Sequence, residues 1–293
     1  MKNKNLLILT ISQIFSFTAA PITVFLSGII GSSLSEIKIL ATLPTALTVV
    51  GTAISSLIAA LIMSKYGRKF GFLLGCFCNS FASILGAYAI IADNFLLYCL
   101  SCLLIGFGLA FTAQYRFAAA ESVSKDFIPN AISIVLIGGI FSALLGPTIA
   151  TATKDLILDK LYVGSYISLS LLTIIPVFFL SFYKNEKKIT INKQFRTRGV
   201  IELLKKPKII QAISAASFAY AIMTFIMTAT PISMHIIDNI SLYKTGLVIQ
   251  WHVISMFLPS LITGYLIKKY KHTQIMYLGI TSLFVCLLIN LIG

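Results

Sequence analysis

Residues 39–92 read ILATLPTALTVVGTAISSLIAALIM, then SKYGRK, then FGFLLGCFCNSFASILGAYAIIA. The run Ile39–Met63 contains no charged residue, and neither does Phe70–Ile91. Between them, Ser64–Lys69 holds three cations and one glycine. A bilayer core about 30 Å thick is crossed by about 20 apolar residues in a helix. Both runs are long enough, and the basic interval between them has room only for a tight turn. Strands of a membrane barrel would instead show segments of about ten residues alternating in polarity. Continuous apolar runs in lipid become helices, because a helix satisfies its own backbone groups.

The same pattern extends in both directions. Apolar runs at Leu6–Ile30, Ile39–Met63, Phe70–Ala92, Phe95–Ala120, Ala131–Thr153, Leu161–Tyr183, Ile209–His235, Thr245–Ile267 and Ile275–Gly293 predict nine membrane helices. The composition agrees: 58% of the 293 residues are hydrophobic and 11% are charged, with a mean hydropathy of +0.95. Soluble domains carry about 25% charge, so disorder, a small disulfide scaffold and an ordinary cytosolic enzyme are excluded. The first run is too long for a signal-peptide core and has no small-residue cleavage site, so it reads as a retained helix.

The chain has 23 Lys+Arg against 9 Asp+Glu, a net charge of +14. In a soluble protein that excess would suggest nucleic acid. Here the cations sit in short gaps between spans, so they report topology, and no nucleic-acid partner is expected. With the N-terminus placed in the cytoplasm, 18 cations fall in cytoplasmic segments and four in outside loops, with Arg116 inside a span. That bias follows the positive-inside rule and predicts a multi-pass protein of the cell (inner) membrane with a cytoplasmic N-terminus. The cysteines at 76, 78, 99, 102 and 286 all lie in apolar runs. They read as small hydrophobes, although Cys99 and Cys102 have CxxC spacing.

One loop, Lys184–Lys208, carries nine cations and separates six spans from three. The organisation expected is a six-helix bundle over 1–183, a basic cytoplasmic linker over 184–208 and a three-helix partial bundle over 209–293. An internal repeat supports two bundles. Ser56-Leu57-Ile58 recurs as Ser260-Leu261-Ile262, and Lys65-Tyr66 as Lys269-Tyr270, both at an offset of 204 residues. Parallel repeats of this kind build two-bundle carriers with the solute near the midplane. In the third run, Gly67, Gly71, Gly75, Asn79, Ser83 and Ala87 recur every four residues as a small ridge for close helix packing.

The turn Ser64-Lys65-Tyr66-Gly67-Arg68-Lys69 resembles the signature loop of the major facilitator superfamily, Gly-x-x-x-Asp-Arg-x-Gly-Arg-Arg. Lys65, Gly67, Arg68 and Lys69 match it, while Ala60 and Ser64 stand at its Gly and Asp positions. The resemblance implies a turn that latches the inward face, here without the carboxylate. Gly146-Pro147 is similar to the family's fifth-helix Gly-Pro motif and implies a hinge in that helix. The stretches Phe111–Ser122, Met227–His235 and Val248–Ile267 resemble a bacterial branch of the same superfamily. The fold implied is an all-α polytopic two-bundle membrane protein, with its solute cavity lined by the first, fourth, seventh and tenth helices.

Candidate cavity residues are Gln13 in the first span, Gln114 and Tyr115 in the fourth, and Ser217, Tyr220 and Thr224 in the seventh. Ser214, Ser217, Tyr220, Thr224 and Thr228 share one helical face. The charge-bearing candidates are Arg116, Glu121 and His252. Arg116 reads as a snorkelling cation or a structural partner of Glu121 or Asp126, or else as a gate charge or a contact to an anionic substrate. His252 is the one histidine well inside a span, and intramembrane ionisable groups point to function. It makes a proton the candidate coupling ion, although no carboxylate lies deep in a span. No catalytic constellation, metal cluster or phosphate loop appears, so no enzyme, metal or cofactor is expected.

These readings converge on a secondary carrier that moves a small solute across the bilayer by alternating access. The alternative is a truncated or degenerate relative that transports nothing. Adding the 204-residue offset to Tyr183 places the end of a full second bundle near residue 387, which is 94 residues past Gly293. Nine of twelve helices are therefore expected in this chain.

Overall fold

The computed structural model describes residues 3–157, 160–185, 202, 205–270 and 272–292. Asp159 and most of the basic linker, including 186–201, lie outside the described residues. Among the described residues there are no strands, and nine helical segments are long and apolar enough to cross a membrane.

The first span is two helices, α1 (Lys4–Ser16) and α2 (Ala19–Leu34). Asn3 caps α1, its side chain accepting from the backbone N–H groups of Asn5 and Leu6 at 3.1 and 3.3 Å. The break at Phe17–Thr18 precedes Pro21, which has no N–H to give and disfavours a helical turn before it. α3 (Leu43–Tyr66) starts with Pro44 in its first turn, and α4 (Arg68–Ile91) follows after one residue, Gly67. The fourth span is again divided, into α5 (Phe95–Thr112) and α6 (Tyr115–Glu121). α7 (Ile128–Ala152) and α8 (Val163–Ser181) complete the first six spans. Then come α9 (Pro207–Ile232), which continues as a π-turn over Ser233–Ile237, α10 (Leu242–Phe257), α11 (Ser260–Lys269) and α12 (His272–Ile292).

The chain divides into two compact units, one of Met1–Glu186 with Thr228–Leu261 and one of Lys187–Met227 with Ile262–Gly293. In the first unit, α5 packs between α3 and α4, α8 lies on α4, α1 touches α7 and α8, and α10 runs along α7. The small ridge of α4 faces inward: Gly71, Gly75, Asn79, Ser83 and Ala87 are all buried. One apolar cluster includes Leu9, Met63, Phe72, Phe111, Tyr115, Val135 and Leu180. Outward faces keep large apolar side chains exposed, among them Leu57, Leu61, Phe81 and Leu171. That surface suits lipid.

Hydroxyl side chains inside the spans turn back on their own helices. Thr10, Thr23, Thr52, Ser83 and Thr173 donate to carbonyls four residues earlier at 2.6 to 2.9 Å. In lipid this removes an exposed donor without needing a partner helix. In the second unit the Thr281 hydroxyl donates to the Leu278 carbonyl three residues earlier, and the Asn290 amide to that of Cys286 four residues earlier. Among the described residues the five cysteines are free thiols; Cys76, Cys99 and Cys102 are buried and Cys286 is exposed.

Candidate functional site

Four stretches far apart in sequence meet at the basic end of the first unit. Gly67 turns the chain between α3 and α4 at φ 91° and ψ 160°. A side chain in such a region costs about 1–3 kcal/mol, and a Cβ here would also meet Asn185 Nδ2 at 2.7 Å. The room that glycine leaves admits the Asn185 amide, whose Oδ1 accepts from the Lys69 backbone N–H at 2.9 Å. Lys69 Nζ donates to the Ser181 carbonyl in the last turn of α8. Asn5 holds the chain leaving α8 from the other side. Its Nδ2 donates to the Lys184 carbonyl at 2.9 Å and its Oδ1 accepts from the Lys184 N–H at 3.2 Å. Asn3 Nδ2 donates to the Ser122 carbonyl just past α6.

Arg68 occupies the centre of this assembly. Its Nη2 and Nε donate to the two carboxylate oxygens of Glu121, and its Nη1 donates to Gln114 Oε1 at 3.2 Å. The turn is thus fixed to the end of the fourth span without a carboxylate at position 64. Ser64 itself donates to the Leu61 carbonyl at 2.8 Å, and Lys65 lies over the Tyr66 ring. Arg116 does not pair with Glu121, whose two oxygens face Arg68; it is exposed and stacks on Phe117 at 5.0 Å from the ring centroid. The reason is geometric, since α6 directs Glu121 toward the α3–α4 turn.

Deeper in the first unit the two divided spans touch. At the first break Thr18 N–H donates to Phe15 rather than to Ile14. The released Ile14 carbonyl accepts from Ser142 Oγ of α7 at 2.6 Å, and the Gln13 carbonyl accepts from the same hydroxyl at 3.1 Å. At the second break Gln114 N–H likewise reaches back three residues, to Phe111. Ser16, which ends α1, and Tyr115, which begins α6, share a hydrogen bond of 3.0 Å. Tyr115 is fully buried, with its ring edge-on to Phe72 at 4.7 Å. It is therefore enclosed between helices rather than lying on an open face. Gln13 is also buried.

α7 runs as one helix through Gly146 and Pro147. Gly146 lies against Pro21 of α2, and Pro147 against Gly246 of α10. Between these contacts Gln250 of α10 crosses to α7, its Nε2 donating to the Leu144 carbonyl at 2.9 Å and to Thr148 Oγ1 at 2.7 Å. Two residues on, His252 Nε2 is buried with no hydrogen-bond partner among the described residues. On α9, Ser217 and Tyr220 are exposed and Thr224 is half-buried.

The structure therefore brings Gly67, Arg68, Lys69, Gln114 and Glu121 into one network, and places His252 on the helix that packs on the Gly146–Pro147 segment. Sequence reading missed Asn3, Asn5 and Asn185 in the network, and Ser142 at the first break. Pro21 was a readable signal for that break. Asn185 gave none, because its partner lies 116 residues away.

A profile of the Major Facilitator Superfamily matches residues 6–292. The chain is 36% identical over 283 residues to the riboflavin transporter RfnT of Brucella anthropi, covering 94% of this chain and 70% of that protein. It is 26% identical over 284 residues to the uncharacterized MFS-type transporter YdeG of Bacillus subtilis, covering 92% and 66% of the two chains. It is also 26% identical over 286 residues to YddS of the same organism, covering 92% and 65%. The chain thus spans about two thirds of the length of the two Bacillus proteins. With nine apolar spans among the described residues, a basic glycine turn between the second and third, and a family match over nearly its whole length, this chain belongs to the Major Facilitator Superfamily.

Proposed function

We propose that this chain works in a secondary transporter that moves a small solute by alternating access, with riboflavin as the solute. The likeness to RfnT over 94% of the chain carries this reading. Riboflavin joins a planar heteroaromatic ring to a chain of hydroxyls. Exposed Tyr220 offers a ring face, and Ser217 and Thr224 offer hydroxyls on the same face of α9. Gln13 is proposed as a polar cavity residue of the first span, and His252 as the site of proton coupling. The groups 1–183, 184–208 and 209–293 are read as six-helix bundle, basic linker and partial second bundle of three helices. The basic end bearing Lys4, Lys65, Arg68 and Lys69 is taken as cytoplasmic in a cell (inner) membrane.

The test is uptake of labelled riboflavin by cells that neither make nor import it, expressing this chain. Saturable uptake, competed by unlabelled riboflavin, is the expected result. Membrane-inserted protein with no uptake above vector would remove riboflavin as the solute. A panel of other metabolites in the same cells then tests the carrier reading itself.

A further inference from the structure

The last turn of α8 carries an arrangement that the transport reading does not use. Phe178 and Phe182 stand on its outer side, 65% and 51% exposed, their ring centroids 5.4 Å apart. Two ammonium groups flank the same turn. Lys4 Nζ lies 5.7 Å from the centre of the Phe182 ring, and Lys69 Nζ donates to the carbonyl of Ser181, the neighbouring residue. Helix C-termini attract cations because their last carbonyls point outward unpaired, which accounts for Lys69. It does not account for Lys4, which comes from another helix and rests on an aromatic face.

Among the described residues no carboxylate pairs with either ammonium. The ion pairs among the described residues are Arg68–Glu121 and Lys160–Asp93. An ammonium has three donors, and Lys69 uses one of its own on Ser181. The backbone segments that carry the two cations are held together. Asn5 grips Lys184 and Asn185 grips the Lys69 backbone, so α1, the α3–α4 turn and the α8 exit form one corner. The apolar shelf lies on the span side of this corner and the charges lie at the span's end. That is the order of parts in a phospholipid, with acyl chain below and phosphate above.

We propose that this corner is a binding site for an anionic phospholipid, with its phosphate between Lys4 and Lys69 and an acyl chain along Phe178 and Phe182. A singly charged phosphodiester leaves both ammonium groups attractive to it. A zwitterionic headgroup brings its own cation, which these lysines repel, so the site discriminates by headgroup charge.

The test uses the whole purified chain in neutral micelles, offered phosphatidylglycerol or phosphatidylcholine, with bound lipid read by native mass spectrometry. Phosphatidylglycerol should be retained about thirtyfold in preference, in line with about one kcal/mol for each of the two lysines near an anionic lipid. The double variant Lys4→Gln, Phe182→Ala changes only exposed side chains and leaves the Asn185–Lys69 bond in place. Its preference should fall to about fivefold, with an unchanged melting temperature in the absence of lipid. Lys38→Gln, a cation before the second span, should leave the preference intact. Equal retention of the two lipids would overturn the proposal. So would a loss in Lys38→Gln as large as in the double variant, which marks diffuse attraction. Displacement of the lipid by millimolar inorganic phosphate would overturn it too, marking a site for free anions.

Discussion

Arg68 meets Glu121 fork to fork: Nη2 donates to Oε1 at 2.6 Å and Nε to Oε2 at 3.1 Å. The pair joins the turn before the third span to the end of the fourth. Its side chains are 22% and 49% exposed, so water screens much of the attraction. A double-mutant cycle with Arg68→Gln and Glu121→Gln in thermal unfolding should give a coupling of about 1 kcal/mol. Arg68→Lys should behave like Arg68→Gln, because a point charge cannot make the bidentate contact. A coupling indistinguishable from zero would show that the fork adds nothing.

Gly67 should not tolerate a side chain. Gly67→Ala meets both the left-handed backbone and the Asn185 amide, and a loss of about 1–3 kcal/mol is expected. Adding Asn185→Gly should recover only the steric part. Melting temperatures of the two variants in micelles separate the contributions.

The crossing of α3 and α5 rests on backbone contact. A Cβ at Gly106 would meet Thr52 N at 2.9 Å and press on the Thr48 carbonyl, and Thr52 Oγ1 donates to the Gly106 carbonyl at 3.1 Å. Backbone atoms cannot step aside, so Gly106→Ala should cost about 1–3 kcal/mol. Gly279 in α12 has nothing within 4 Å of its would-be Cβ. Gly279→Ala should therefore be neutral or stabilising by up to about 1 kcal/mol through helix propensity. Equal losses in the two variants would refute the assignment of the cost to packing.

Gln250 ties α10 to α7 beside Pro147 through Leu144 and Thr148. Gln250→Leu removes both bonds while keeping similar volume, and should lower stability by about 1 kcal/mol. Thr148→Val should account for part of the same loss, and the two should not add. Thermal unfolding of the single and double variants checks this.

His252 bears on coupling. Its Nε2 is buried and unpartnered among the described residues, a state that costs free energy unless a proton, water or solute group arrives. In vesicles that show solute uptake, His252→Gln should abolish the acceleration by an inward proton gradient while leaving counterflow exchange. Unchanged gradient-driven uptake would remove His252 from the coupling step.

Sequence alone determined the membrane, the helices and the basic turn. Runs such as Ile39–Met63 are long and free of charge, and lipid permits such a run only one backbone state. Gly67 and its flanking cations were legible because a tight turn at a membrane surface needs those residue types in consecutive positions. The division of the fourth span before Tyr115 was not legible, since Ala113 and Gln114 carry no helix-breaking signal. Partner choice was not legible either. Glu121 was a candidate for Arg116, five residues away, and the fold gave it to Arg68, 53 residues away. Asn185 under Gly67, Ser142 on the released Ile14 carbonyl and Lys4 over Phe182 have the same origin. Hydropathy and turn chemistry act over one helix length, so sequence displays them. Which polar groups meet depends on how whole helices cross, and that is decided only when their small and large side chains pack in three dimensions.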